Sequence, residues 1–236
     1  ETARADHFSL NGYGRETNPE LAKTPDLLNF DNVWSCGTET AVSLPCMFSG
    51  MGRANFAREK AERKEGLLDI LLRAGLAVSW RDNQSGCKGV CDRVPNENVH
   101  NANLPEVCGP DGCFDDVLLN GLSAQLENLQ RDSVLVLHMM GSHGPAYYKR
   151  YPNRFEVFLP VCQTSQLDRC SQQEIINAFV NTLRYTDSVL ARLVKILREH
   201  ADRVDSAMIY VSDHGESLGE HNLYLHGTPY LIAPDA

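Results

Sequence analysis

The chain has 236 residues, 42% of them hydrophobic, enough for one sizeable core and within the range of a single α/β domain. Its 31 acidic against 22 basic residues give a formal net charge of -9, and with no long basic run this excludes nucleic acid as a partner on electrostatic grounds. No segment reaches the ~20 apolar residues of a membrane span and no signal-peptide pattern opens the chain, so any membrane anchor is expected outside these residues.

The polar opening Glu1 to His7 carries no strand or capping signal and reads as a start in mid-domain. Residues 27–34 alternate loosely and predict a short strand feeding the stretch from Val33 to Phe48. Pro45, inside the apolar run Ala41 to Phe48, predicts a short or kinked helix. Thr38 and Thr40 stand at its start, where unpaired N–H groups and the positive dipole end suit an oxyanion or phosphate. Either hydroxyl is a candidate nucleophile for phosphorus, and either could be only an N-cap. Residues 54–75 predict one amphipathic helix carrying Leu67, Leu68, Ile70, Leu71 and Leu72 and ending at Gly75, followed by a buried strand over 76–80. A long turn-rich excursion over 81–116 is of the length that usually carries function.

Helix is expected again over 115–129, then a strand over 134–140 of the parallel kind buried on both faces. It leads into Gly141-Ser142-His143-Gly144-Pro145. Residues 171–200 place apolar side chains at three-, four- and seven-residue steps and predict a long surface helix. A last buried strand is expected over 207–212, leading into Asp213-His214-Gly215-Glu216-Ser217. Strands alternating with helices predict a mostly parallel α/β sheet flanked by helices with right-handed crossovers. Segments 35–40, 138–143 and 212–216 should then gather beyond the carboxyl ends of the strands, where such sheets bind ligands.

The eight cysteines, Cys36, Cys46, Cys87, Cys91, Cys108, Cys113, Cys162 and Cys170, fall into four close pairs. An even count in short-range pairs reads as disulfides made in an oxidising compartment. The absence of C-x2-C spacing argues against a cysteine zinc site. Nearest-neighbour pairing is expected because each pair encloses a short loop with turn residues, such as Gly109-Pro110-Asp111-Gly112.

Asp213-His214 after a predicted strand, with His226 twelve residues beyond His214, offers the oxygen and nitrogen ligands that zinc takes. Glu1 could add a second carboxylate, and His143 lies at another predicted strand end. A threonine hydroxyl attacks at neutral pH only when its pKa is lowered, as by direct coordination to a divalent cation, so metal and nucleophile must be neighbours. Lys88 could balance a phosphate's charge or be a plain solvated lysine. His138, flanked by Leu137 and Met139, reads as a hydrogen-bonded core histidine. His7, His100, His200 and His221 read as surface residues, with His221 close enough to His226 to stay a candidate.

These motifs together resemble the soluble catalytic domain of lipid A phosphoethanolamine transferases, the family that includes the mobile colistin-resistance enzymes. The resemblance runs end to end: Glu1-Thr2-Ala3-Arg4, Asn11-Gly12-Tyr13, Ser35-Cys36-Gly37-Thr38 with Thr40, Pro45-Cys46-Met47-Phe48, Arg81-Asp82-Asn83, Lys88-Gly89, Ser142-His143-Gly144-Pro145, Arg150-Tyr151, the run from Ser212 to Glu220, and Tyr224-Leu225-His226-Gly227. It implies an alkaline-phosphatase/sulfatase-like fold with disulfide-stapled loops. It further implies Thr40, rather than Thr38, as nucleophile, with Glu1, Thr40, Asp213 and His214 around one tight zinc ion. His143 and His226 would lie near the substrate phosphate or a second, weaker metal, with Lys88 as a phosphate contact.

The implied reaction takes phosphoethanolamine from phosphatidylethanolamine through a phosphothreonine and passes it to a lipid A phosphate, masking charge against polymyxins at the periplasmic face of the bacterial inner membrane. Residues 1–236 would be a single catalytic domain, with the strand before Glu1, an N-terminal membrane domain and the C-terminal end of the fold outside them. Two departures stand out: Glu39 where a small residue is expected beside the nucleophile, and His221-Asn222 in place of Asn-Gly. Within the wider superfamily, a phosphoglycerol transferase or hydrolase is the alternative. A sulfatase's Cys/Ser-x-Pro-x-Arg signature is not met, because Ser43-Leu44-Pro45-Cys46 is followed by Met47. A secreted disulfide-stapled binding module would instead predict no stoichiometric metal.

Overall fold

Val78, Trp80 and Asp82 turn inward at alternate positions of one strand and are buried, while the residues between them are half-exposed, the period-two pattern of a strand packed on one face. The structure is a computed structural model and describes residues 1–233. Its strands are β1 (Ala77–Asp82), β2 (Asn96–Asn98), β3 (Cys108–Gly109), β4 (Gly112–Cys113), β5 (Ser133–His138), β6 (Ser217–Leu218) and β7 (Tyr224–Leu225), and its α-helices are α1 (Thr40–Phe48), α2 (Arg58–Ala61), α3 (Leu67–Arg73), α4 (Leu122–Glu127) and α5 (Gln172–Glu199). The main sheet is parallel in the order β2-β1-β5. Its register pairs Asp82 with His138, the last residues of β1 and β5, so both side chains leave the sheet at its carboxyl edge. Two antiparallel ribbons, β3-β4 and β6-β7, accompany it. The loop joining β6 to β7 holds His221 and Asn222 at φ 51° and 60°, a left-handed pair of the kind that Asn-Gly adopts most readily.

Several expected elements differ. Residues 207–212 form no ladder among the described residues, and Ile209 is 91% exposed; without a neighbouring strand, apolar alternation cannot close backbone hydrogen bonds. Residues 27–34 are likewise irregular and open, with Leu28, Phe30 and Trp34 exposed. Strand β5 is only half-buried along 134–137 because it is the outer strand of the sheet among the described residues. The predicted helix over 54–75 is divided into α2 and α3, with Gly66 as the N-cap of α3 and Asp69 accepting its N–H at 2.8 Å. The one over 115–129 breaks at Gly121, at φ 68°, into a 3-10 turn and α4.

Helix α5 departs most from expectation. Ser171 and Glu174 form its capping box, yet its first half is central instead of superficial: Ile175, Ala178, Phe179, Val180 and Leu183 are fully buried beneath Tyr147, Leu167 and Leu218. Farther along, Tyr185, Val189 and Leu190 pack against Val117, Leu118, Met139 and Tyr151. The polar residues that suggest a solvated face instead serve loop backbones. Asn181 Oδ1 accepts from the N–H groups of Val157 and Phe158 at 3.1 and 3.0 Å, Asn177 donates to the Pro160 carbonyl at 2.6 Å, and Asp187 accepts from Glu20 and Leu21, both at 2.9 Å. A third cluster joins Leu44 of α1, Leu68 of α3 and Val78 and Trp80 of β1, seating α1 and α3 on the sheet.

The disulfides are the nearest-neighbour pairs Cys36–Cys46, Cys87–Cys91, Cys108–Cys113 and Cys162–Cys170. Because α5 carries the core, truncating its central aromatic should be severe. Phe179→Ala is expected to destabilise the chain by about 3–5 kcal/mol through lost transfer energy and an unfilled cavity, read as a lower urea midpoint with the disulfides intact and the denaturant slope unchanged.

Candidate active site

The site is built from the strand ends inward. Thr40 is the first residue of α1, preceded by Glu39 in extended conformation. The turn before it is held by Gly37 N–H donating to Ser43 Oγ at 2.9 Å and by the Cys36–Cys46 bond. Thr40 is buried, and its hydroxyl donates to Glu1 Oε1 at 2.8 Å and stands 3.2 Å from His214 Nε2. Thr38 contributes its carbonyl, which accepts from Gly227 N–H at 2.8 Å. Glu39 is exposed, with its carboxylate toward Gly227 and outside the buried cluster.

Glu1 lies beside the chain leaving β5, its carbonyl accepting from Ser142 N–H at 3.0 Å. Gly141 permits this approach: at φ 59°, a Cβ there would meet the Glu1 nitrogen and carbonyl oxygen at 2.6 and 2.7 Å, closer than any side chain tolerates. Glu1 Oε1 faces His138 Nε2 at 3.4 Å, and Oε2 faces His143 Nε2 at 3.7 Å and accepts from Gln84 Nε2. Burial would raise the Glu1 pKa, but the His138 imidazole and the Thr40 hydroxyl are among the groups that hold the carboxyl well below its usual range. His138 in turn donates from Nδ1 to Asp82 Oδ2 at 2.9 Å. Burial works against its charged form, yet the two flanking carboxylates raise its pKa.

Asp213 and His214 follow residues 207–212 and enter from the other side. His214 Nδ1 is 2.7 Å from the Gly215 carbonyl; a carbonyl only accepts, so Nδ1 carries the proton and Nε2 presents a lone pair toward Thr40 in the neutral ring. Asp213 Oδ2 is 3.6 Å from that Nε2, and both Asp213 carboxylate oxygens are buried with no hydrogen-bond donor. The Glu1 carboxylate, the Thr40 oxygen, His214 Nε2 and the Asp213 carboxylate thus converge as acceptors with one hydroxyl proton among them. Such a set is costly to bury alone and suits a divalent cation, and the mix of oxygen and imidazole nitrogen fits zinc.

The two remaining histidines stand together, ring centroids 4.8 Å apart, and titrate in opposite directions. Burial lowers His143, whose Nδ1 is 2.7 Å from the Gly144 carbonyl. A hydrogen bond to the fully buried Glu216, 3.0 Å from Nδ1, raises His226. Glu216 also accepts from Gly144 N–H at 3.2 Å, and Arg4 holds its backbone carbonyl at 3.1 Å and Glu220 at 2.6 Å.

The fold therefore brings together Glu1, Thr40, His143, Asp213, His214 and His226. Lys88 stays apart from these contacts, its ammonium donating to the carbonyl and hydroxyl of Ser85 at 3.2 and 2.6 Å. Cys87, Cys91 and Asp92 also lie close together, but the sulfurs are bonded to each other and offer no thiolate. His138 is buried and hydrogen-bonded as expected, and it also belongs to the cluster. His7 is buried against Phe179 instead of exposed. Sequence reasoning assigned no role to Asp82, Gln84 or Glu216. Asp82 lies in the Arg81-Asp82-Asn83 motif just beyond a predicted strand and Glu216 in the run from Ser212 to Glu220, while nothing in the residues signals Gln84.

The orphaned Asp213 carboxylate makes a testable conflict between stability and binding. In chelator-stripped protein, Asp213→Asn is expected to raise stability by ~1–3 kcal/mol through relief of an uncompensated buried charge. Added zinc should then raise the melting temperature of the parent chain but not of the variant, a difference read by calorimetry with and without the ion.

The Sulfatase family model matches residues 1–236. Over 236 residues the chain is 52% identical to phosphoethanolamine transferase EptA of Escherichia coli (strain K12), covering 100% of this chain and 43% of that protein. It is 46% identical over 241 residues to phosphatidylethanolamine transferase Mcr-1 of Escherichia coli, covering 99% of this chain and 44% of that protein. The chain thus spans less than half the length of these curated relatives. The crystal structure of the soluble domain of lipooligosaccharide phosphoethanolamine transferase A from Neisseria meningitidis matches with a TM-score of 0.93 and 47% identity, over 100% of this chain and 70% of that one. With the buried threonine, carboxylate and histidine cluster at the strand ends and these matches over its full length, the chain belongs to the sulfatase family and, within it, to the phosphoethanolamine transferases.

Proposed function

We propose that this chain is the catalytic domain of an enzyme that moves phosphoethanolamine from phosphatidylethanolamine to a lipid A phosphate, with Thr40 as the nucleophile. The observation that carries the reading is the Thr40 hydroxyl, buried at a helix start and directed at Glu1 Oε1 at 2.8 Å, with a histidine nitrogen and an unpaired carboxylate gathered behind it. Zinc held by Glu1, Thr40, Asp213 and His214 would supply the Lewis acidity that lowers the hydroxyl pKa and offsets phosphate charge.

Thr40 Oγ1 releases its proton toward Glu1 and attacks the donor phosphorus; the P–O bond to the diacylglycerol breaks, and the leaving oxygen takes up a proton. His226, whose pKa is raised by its hydrogen bond to Glu216, is the candidate acid, while His143, whose pKa burial lowers, is suited to take the proton from the incoming acceptor. In the second half, a lipid A phosphate oxygen attacks phosphorus and the bond to Thr40 Oγ1 breaks, returning the proton to the hydroxyl. The N–H groups at the start of α1 that have no helical partner face the developing charge. Lys88, now hydrogen-bonded to Ser85, is the candidate for a further phosphate contact. The disulfides and the acceptor lipid suit the periplasmic face of the bacterial inner membrane, and masking lipid A phosphate would weaken polymyxin binding.

The reading is tested on the zinc-loaded, full-length enzyme incubated with phosphatidylethanolamine, followed by intact mass and peptide mapping. A phosphoethanolamine adduct is expected on Thr40, and Thr40→Ala is expected to lose both adduct and transfer by at least ~1000-fold. An adduct at another residue, or transfer surviving in Thr40→Ala, would overturn the assignment.

A further inference from the structure

Glu1 presents two oxygens to different neighbours, and the structure distinguishes them. Oε1 faces Thr40 and His138; Oε2 faces Gln84 and His143. The ionised oxygens are equivalent, so a half-turn changes nothing, but any smaller rotation of the carboxylate plane breaks contacts on both sides. What holds this choice lies one layer farther out. Asp82 is 4% exposed, and its Oδ2 accepts from Trp80 Nε1 and from His138 Nδ1, both at 2.9 Å. Its Oδ1 accepts from the backbone N–H groups of Gln84 and Gly86 at 2.7 and 3.3 Å. Four donors from three directions leave this carboxylate no freedom to turn.

Two arms run from it to the two Glu1 oxygens. One is the His138 ring, whose Nε2 is buried and has no hydrogen-bond partner of its own. The bond from Nδ1 to Asp82, together with the edge-on contact with the Trp80 ring at 5.3 Å, therefore sets where Nε2 points. The other arm is Gln84, whose backbone is pinned by Asp82 and whose side-chain amide meets Glu1 Oε2. Trp80 is itself 1% exposed in the core beneath α1 and α3, and parallel pairing sets Asp82 opposite His138. The direction of Glu1 is thus referred back to the sheet.

We propose that Asp82 is a positioning residue for the transfer reaction: it has no hydrogen bond to Glu1 or Thr40, and it acts by aiming His138 and Gln84 at the two oxygens of the Glu1 carboxylate. This deepens the reading of Glu1 and Thr40 given above and rests on it.

The test is a double-mutant cycle on the full-length enzyme with Asp82→Asn, His138→Asn and both together. Two quantities are read: zinc affinity by chelator competition, and the single-turnover rate of adduct formation on Thr40 against phosphatidylethanolamine concentration. Asparagine at 82 sets an amide N–H against donors on one side or the other. Asparagine at 138 keeps an N–H near the Nδ1 position for Asp82 and loses the reach to Glu1. Each single variant is expected to weaken zinc binding by about 10–100-fold, the usual range for a lost supporting contact to a ligand. The maximal adduct rate should fall while the half-saturating lipid concentration stays unchanged, and the double variant should be no worse than Asp82→Asn alone, because His138 lies downstream of Asp82 in the same series.

Unchanged zinc affinity in Asp82→Asn, or losses that multiply in the double variant, would overturn the proposal. If Asp82→Asn shows no cooperative melting transition, His138→Asn decides alone, and native zinc affinity there overturns the proposal. A parent enzyme that binds zinc yet forms no adduct on Thr40 would instead overturn the transfer reading, with the affinity cycle still deciding the role of Asp82.

Discussion

The structure turns on the burial of more acceptors than donors at one point. Glu1, Thr40, His214 and Asp213 meet at one point, all four buried, and the Asp213 oxygens find no donor. A carboxylate so placed is unfavourable by itself, and folding tolerates it only where the surroundings are strongly determined. Much of the scaffold does this work. Gly141 lets the Glu1 backbone reach the chain leaving β5, Cys36–Cys46 and Ser43 fix the entry to α1, and Arg4 ties the opening segment to the backbone at Glu216.

The same imbalance organises the electrostatics of the site. His138 lies between two carboxylates, which raise its pKa against burial, and Glu216 raises that of His226; for His143 burial outweighs the nearby Glu1 and Glu216 carboxylates and lowers it. Three imidazoles within one site thereby have their pKa values pushed apart by their surroundings, two upward and one downward. The departures from the family pattern do not disturb it. Glu39 points outside the cluster, and His221 and Asn222 meet the left-handed backbone that the β6–β7 loop demands.

Away from the site, α5 shows how polar residues can belong to a core. Asn177, Asn181 and Asp187 are buried because the loops wrapped around the helix bring backbone groups that need partners. The disulfides staple neighbouring loop segments, where short stretches of irregular chain have little apolar surface of their own to bury.

Much was legible in the residues alone: the parallel α/β character, the pairing of the cysteines, and the grouping of Thr40, His143 and Asp213-His214, although only His143 follows a strand. These follow from local rules, since strand runs, turn residues and short cysteine spacings act over a few neighbours. The burial of α5 was not legible, because the residues that cover Asn181 and Phe179 come from loops distant in sequence. Nor was the fate of residues 207–212, since a strand exists only if another lies beside it. His138 illustrates the limit most sharply. Its apolar neighbours correctly suggest a buried, hydrogen-bonded ring, but the parallel register that sets it opposite Asp82, and the approach of Glu1 from the far end of the chain, are properties of the packed sheet. The sequence by itself determined which chemistries were present; the tertiary structure alone decided which oxygen faces which nitrogen, because those distances depend on contacts between segments that no local rule connects.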